Sequence, residues 1–148
     1  MATTRIIAMH RNKGCTAEQA LKARLDYIKN PEKTRDGELV TAFACHATTA
    51  DAEFALARKE YFEITGRWRE DEVIAYQIRQ SFKPEEVTPE EAHQIGIELA
   101  QRFLKGNHAF VIATHTDKKH VQKDLCQGLF SLFAREIKAS YSFVFELV

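Results

Sequence analysis

Three cysteines, three prolines, six glycines and one tryptophan in 148 residues are low counts, and the 21 basic and 21 acidic residues cancel. Each scarcity excludes something. Cys15, Cys45 and Cys126 are odd in number and widely spaced, which suggests neither a disulfide framework nor a cysteine zinc motif. So little Gly and Pro, with no biased tract, argues against collagen-like repeats, disorder and long linkers. No apolar run approaches the roughly 20 residues that a membrane helix needs. The apolar patch in Met1–His10 is short and ends in histidine, so it is not read as a signal peptide. The expectation is one cytoplasmic domain of ordinary size with reduced thiols and no membrane partner, burying roughly two-thirds of its unfolded surface.

The neutral total conceals an uneven distribution. Residues 1–35 carry a net charge of +5, 36–72 carry −5, 73–104 carry −2 and 105–148 carry +2. A basic first quarter can contact phosphate locally although the whole is neutral. A helix face solvated by Lys and Arg gives the same arithmetic.

What is present alternates strands and helices. Arg5–His10 reads as a strand. Thr16 with Gln19 resembles a capping box opening a helix with Leu21, Leu25 and Ile28 on one face, which Asn30-Pro31 ends. Leu39–Cys45 looks like a strand. Thr49 or Asp51 can cap a second helix, with Phe54, Ala57 and Tyr61 on one face and Gly66 at its end. Residues 71–82 alternate at Ile74, Tyr76 and Ile78, a half-buried strand pattern. The third helix is the sharpest reading: Thr88 as N-cap, Pro89 at its first position, Glu91 closing the box and Gly106 past the end. Its buried stripe is expected at Ile95, Leu99 and Phe103. Ala109–Thr114 reads as an apolar strand, 125–137 as a possible amphipathic helix, and Tyr141, Phe143, Phe145 and Leu147 alternate as in an edge strand. Interspersed elements of both kinds imply an α+β or mixed α/β sandwich.

Two groups of residues invite chemistry. His115 and His120 flank Asp117 just beyond the apolar strand, where a rigid element can hold ligands at fixed distances. Imidazole beside carboxylate suits a divalent cation or a general base, and a polar surface turn has the same composition. Tyr27 stands among Lys22, Arg24, Asp26 and Lys29 on the first helix. Nearby cations and a metal-bound phosphate would ease its ionisation for attack on phosphorus. A ring packed on the sheet with its hydroxyl at the surface is the plainer reading.

Residues 20–34, with Tyr27 and Lys33 inside them, resemble the first motif of the relaxase/mobilisation nuclease family, in its MobA-type branch. The resemblance continues through Tyr76–Glu85 and Thr88–Ala92 to Gly106–His120, in order, across about residues 1–120. It implies a central antiparallel β-sheet with packed helices, an HUH-relaxase-like α+β fold. It also implies a tyrosine that attacks a phosphodiester of single-stranded DNA at a transfer origin, leaving a 5′-phosphotyrosine and a free 3′ hydroxyl. Tyr27 falls on that nucleophile. A histidine-held Mg²⁺ or Mn²⁺ would polarise the phosphate, with His115 matching the first histidine of the motif and Asp117 orienting a histidine ligand. Arg24, Lys29 and Lys33 would contact phosphates near the nick, and accessory proteins of a relaxosome are possible partners.

The family pattern then calls for histidines at alternate positions, where this sequence has His120, Gln122 and Asp124. Alternation keeps the three on one face of a strand. Asp124 can offer Mg²⁺ an oxygen, whereas Gln122 is a poor replacement for imidazole. This divides the chain into a relaxase-like nuclease domain at 1–124, expected to be truncated, and a divergent tail at 125–148. A reading-frame change after His120 and a diverged family member both fit, and the abruptness of the break favours the former. Activity is therefore expected to be impaired. The alternatives are a non-catalytic module binding single-stranded origin DNA and an inert remnant.

Overall fold

The computed structural model describes residues 3–66, 73–83, 85–106, 108–116, 130–131 and 143–147. Strand β1 (Thr3–Met9), helix α1 (Ala17–Ile28), strand β2 (Val40–Phe43), helix α2 (Ala50–Thr65), strand β3 (Ala75–Ser81), helix α3 (Pro89–Leu104) and strand β4 (Phe110–Thr114) follow one another, and two further strands lie at Phe130–Ser131 (β5) and Phe143–Leu147 (β6). The expected α+β class, with antiparallel strand pairs and helices packed on them, is what is observed.

β1 pairs antiparallel with β3, from Thr3 opposite Ser81 to Met9 opposite Ala75. β2 pairs antiparallel with β4, from Val40 opposite Ala113 to Phe43 opposite Phe110. β6 joins the two pairs, running parallel to both β3 and β4, so the residues read as an edge strand occupy the sheet interior. Phe130–Ser131, inside the stretch read as a helix, is a short strand beside β3; the rest of that stretch lies outside the described residues.

Side-chain alternation on β4 sets the two layers. Val111 and Ala113 point to one face, packing with Leu21, Leu25 and Ile28 of α1, Phe54 of α2 and Met9. Phe110 and Ile112 point to the other, packing with Ala92, Ala100 and Leu104 of α3, Ile78 and Phe82. All five β4 residues are buried, as a strand covered by helices on both faces must be.

Helix boundaries follow their caps. Thr16 and Gln19 form a reciprocal capping box at α1, and Thr88 and Glu91 form another at α3. Gly66 closes α2 in the left-handed conformation that only glycine adopts without cost. The α3 stripe departs from expectation. Its buried residues are Ala92, His93, Gly96, Ala100 and Leu104, whereas Ile95 and Phe103 are 37% and 48% exposed. The buried face is therefore marked mainly by small residues, with His93 and Leu104, instead of by Ile95 and Phe103.

Candidate active site

Tyr27 sits in the last turn of α1, between the buried Leu25 and Ile28. Its neighbours fix the helix on the sheet, and Tyr27 itself emerges at the border with 48% of its surface exposed. The continuation of β4 brings His115 to the same place. Residues 111, 113 and 115 share the α1 face by alternation, so the side chain after Thr114 turns towards the end of α1.

His115 is only 5% exposed and donates from Nε2 to the carbonyl of Ile28 at 2.9 Å. A carbonyl oxygen can only accept, which puts a proton on Nε2. Metal-binding imidazoles use this arrangement, one nitrogen anchored to a backbone carbonyl and the other carrying the donor pair. The Tyr27 and His115 rings meet edge to face, their centroids 5.9 Å apart at 74°.

The loop after α1 supplies the third member. Lys33 places its ammonium 3.4 Å from the Tyr27 hydroxyl oxygen and 4.4 Å from the centre of its ring. A cation over a tyrosine face is attracted by the ring quadrupole. The loop turns sharply through left-handed residues at Arg35, Asp36 and Gly37, with φ of 50°, 56° and 88°, and Arg35 pairs with Glu90 at the start of α3. Its base is tied to β4 by Leu39, whose carbonyl accepts from the Thr114 N–H at 2.9 Å.

Behind β4, on the α3 face, His93 holds the strand end in place. Its Nδ1 lies 2.8 Å from Thr114 Oγ1 and its Nε2 2.7 Å from Thr41 Oγ1. Burial lowers the His93 pKa, favouring the neutral ring. His93 and His115 thus flank one backbone position from opposite faces.

A cleft of about 480 Å³ opens beside Tyr27, with Ile7, Met9 and Gln77 from the sheet, Arg24 from α1 and His10, Arg11 and Asn12 from the β1–α1 loop in its walls. Of the residues expected at the site from sequence, Tyr27, Lys33 and His115 come together and Arg24 lines the adjoining cleft. Lys29 donates to the Ala47 carbonyl at 2.6 Å, on the side facing the β2–α2 connection. Asp117, His120 and Asp124 lie outside the described residues. His93 and the His10–Asn12 loop carry no local sequence signal that marks them for this place.

The donor chemistry of His115 fits a divalent cation, although no group of three or more His, Cys, Asp or Glu side chains that could hold one is found among the described residues. No helix among the described residues is long and apolar enough to cross a membrane.

Residues 27–122 match the family model described as relaxase, MobA/VirD2-like, nuclease domain. A protein rlx of Staphylococcus aureus is 50% identical over 52 residues, which is 35% of this chain and 16% of that protein. Another rlx protein of the same species is 36% identical over 85 residues, or 57% of this chain and 24% of the relative. The group II intron-interrupted relaxase LtrB of Lactococcus lactis subsp. cremoris is 27% identical over 128 residues, covering 73% of this chain and 23% of LtrB. The chain thus spans less than a quarter of the length of these relatives. No solved structure matches it.

Proposed function

This chain belongs to the MobA/VirD2-like relaxase family, whose nuclease domains nick DNA for mobilisation, and from that membership we propose that it is a DNA strand transferase domain acting on one phosphodiester of a single-stranded transfer origin. Tyr27 is the nucleophile in this reading. The observation that carries it is the meeting of three groups at one point: a half-exposed phenol, an ammonium 3.4 Å from its oxygen, and a buried imidazole against its ring.

The reaction that follows is a transesterification. The phenol loses its proton, and its oxygen bonds to phosphorus as the bond from phosphorus to the 3′ oxygen breaks. The departing 3′ oxygen takes up a proton, leaving a 5′-phosphotyrosine and a 3′ hydroxyl. Running the same step backwards rejoins a strand. Lys33 stands where the phenolate charge develops and stabilises it electrostatically. Arg24, in the wall of the cleft, receives a neighbouring phosphate.

The family is generally dependent on a divalent metal. Here Mg²⁺ or Mn²⁺ would be held by His115 with His120 and Asp124, and it would supply Lewis-acid polarisation of the phosphate. Asp117 would orient one of the histidines. With Gln122 between His120 and Asp124, this ligand set is weaker than one of three imidazoles, so cleavage is slow. That same glutamine favours a second reading, a module that binds single-stranded origin DNA without cutting it.

The test is incubation with a supercoiled plasmid carrying a relaxase-family transfer origin and Mg²⁺ or Mn²⁺. A covalent protein–DNA adduct should form and disappear in Tyr27→Phe. Absence of any adduct at every metal concentration, with DNA binding retained, would replace strand transfer by the binding-module reading.

A further inference from the structure

Beyond Gln77, in the wall of the cleft beside Tyr27, the same face of the sheet continues outward. Along β3 the residues on the α1 face are Ala75, Gln77, Arg79 and Ser81, and along β1 they are Met9, Ile7, Arg5 and Thr3, because residues in register share a face. Ile7 and Gln77, in the cleft wall, are register partners, and the next pair outward on that face is Arg5 with Arg79. That pair lies about 7 Å further along the strands, two residues at the usual rise.

Two guanidinium groups facing each other on adjacent strands repel. No carboxylate among the described side chains forms an ion pair with either. Arg79 is half-buried, and its Nε is enclosed without a hydrogen-bond partner. In β6, Glu146 stands at the register position beside Arg79, which leaves one acidic position against two basic ones. An enclosed N–H donor without a partner, next to a like-charged neighbour, is costly in the free protein. A doubly acceptor-rich anion would relieve both costs, and planar guanidinium forks match phosphate oxygens in pairs.

We propose that Arg5 and Arg79 together grip a backbone phosphodiester of the single strand, one step outward from the nucleotide occupying the Tyr27 cleft, so that the strand runs from α1 onto the β1–β3 surface. This rests on the reading of the chain as a domain that binds single-stranded DNA.

The experiment measures binding of the full 148-residue chain to a fluorescein-labelled oligothymidylate by anisotropy across a salt series, with EDTA throughout. Arg5→Gln/Arg79→Gln should bind about tenfold more weakly at moderate salt, and its slope of log affinity against log salt should be shallower by about 0.7, the value of one lost phosphate contact on a single strand. Lys59→Gln/Arg102→Gln removes the same charge from exposed helix faces and should keep the wild-type slope. Arg5→Gln alone, at an exposed position, should show part of the effect whether or not Arg79 tolerates substitution. An unchanged slope in both Arg5 variants, or an equal loss in the Lys59/Arg102 control, would overturn the proposal. Failure of the unsubstituted chain to bind the oligonucleotide even at low salt would instead overturn the DNA-binding reading beneath it.

Discussion

Thr116 donates its backbone N–H to the carbonyl of Lys33 at 2.8 Å, and its hydroxyl donates to the same oxygen at 3.3 Å. The strand that presents His115 therefore also anchors the residue whose ammonium sits on Tyr27. This double tie implies that Lys33 acts from a fixed base and not as a freely sampling surface lysine.

Lys33→Met should slow formation of the tyrosine–DNA adduct by on the order of a hundredfold, the low end of the loss when a preorganised donor to a charged oxygen is removed. Lys33→Arg should recover part of the rate. Thermal unfolding should be little changed in both, because this contact is exposed and exposed polar contacts contribute little. Equal adduct rates in all three proteins would refute a role for the ammonium.

His93 links Thr41 and Thr114 from within α3. His93→Leu should cost about 2–3 kcal/mol, since it strands two hydroxyl groups that the ring now satisfies. Urea denaturation midpoints at neutral pH report this directly.

The same histidine gives stability a pH dependence of known sign. Burial lowers its folded-state pKa, so the unfolded chain binds a proton that the folded one resists. Stability is complete above the unfolded value of about 6.5 and declines as pH falls through it towards the lower folded value. His93→Gln should flatten that decline between pH 7.5 and 5.5, roughly the range around this titration. Parallel pH profiles for variant and wild type would show that the imidazole is not the source.

Cys45 and Cys15 should differ sharply in reactivity. The half-buried Cys45 thiol is pushed up to about 12, chiefly by burial, with the Glu53 carboxylate adding to it. Cys15 is exposed in the wall of the Tyr27 cleft. Mass-spectrometric mapping at pH 8 should find Cys45 alkylated on the order of a thousandfold more slowly than an ordinary thiol, because only the thiolate reacts. A bound oligonucleotide should protect Cys15. Labelling of Cys15 unaffected by saturating DNA would place the strand elsewhere.

Leu25→Ala removes a side chain with no exposed surface from the turn that carries Tyr27. The cost should be about 3 kcal/mol from lost transfer energy and the cavity left behind. Chemical denaturation measures it, and a change under 1 kcal/mol, roughly the low end for a large-to-small core substitution, would mean that α1 is not seated as described.

Much of this arrangement was legible in the chain. Thr16 with Gln19 and Thr88 with Glu91 announce α1 and α3 because capping is a local matter of side chains satisfying nearby backbone donors. Leu21, Leu25 and Ile28 announce the buried face of α1 by simple periodicity. Tyr27 and His115 stood out by their neighbours in sequence, and the family resemblance gave them roles; their mutual contact depends on tertiary placement across 88 positions of sequence. The α3 stripe misled because size and hydrophobicity rank Ile95 and Phe103 above Gly96 and Ala100, whereas it is the latter that face the sheet. The Arg5–Arg79 pairing was invisible for a similar reason: register between β1 and β3 is set by the sheet, and neither arginine has a distinctive local setting.

The bond from His115 to the Ile28 carbonyl has a mechanical side. Tyr27 and Ile28 are consecutive, so the imidazole is pinned to the carbonyl of the residue that follows Tyr27. The imidazole and the helix turn that carries Tyr27 are consequently coupled directly, without passing through the 29–39 connection. Insertions into that connection would displace Lys33 yet leave the other two groups in alignment. On the strand-transfer reading, exchange of one DNA end for another would then fall to movement of the strand and not of this helix turn.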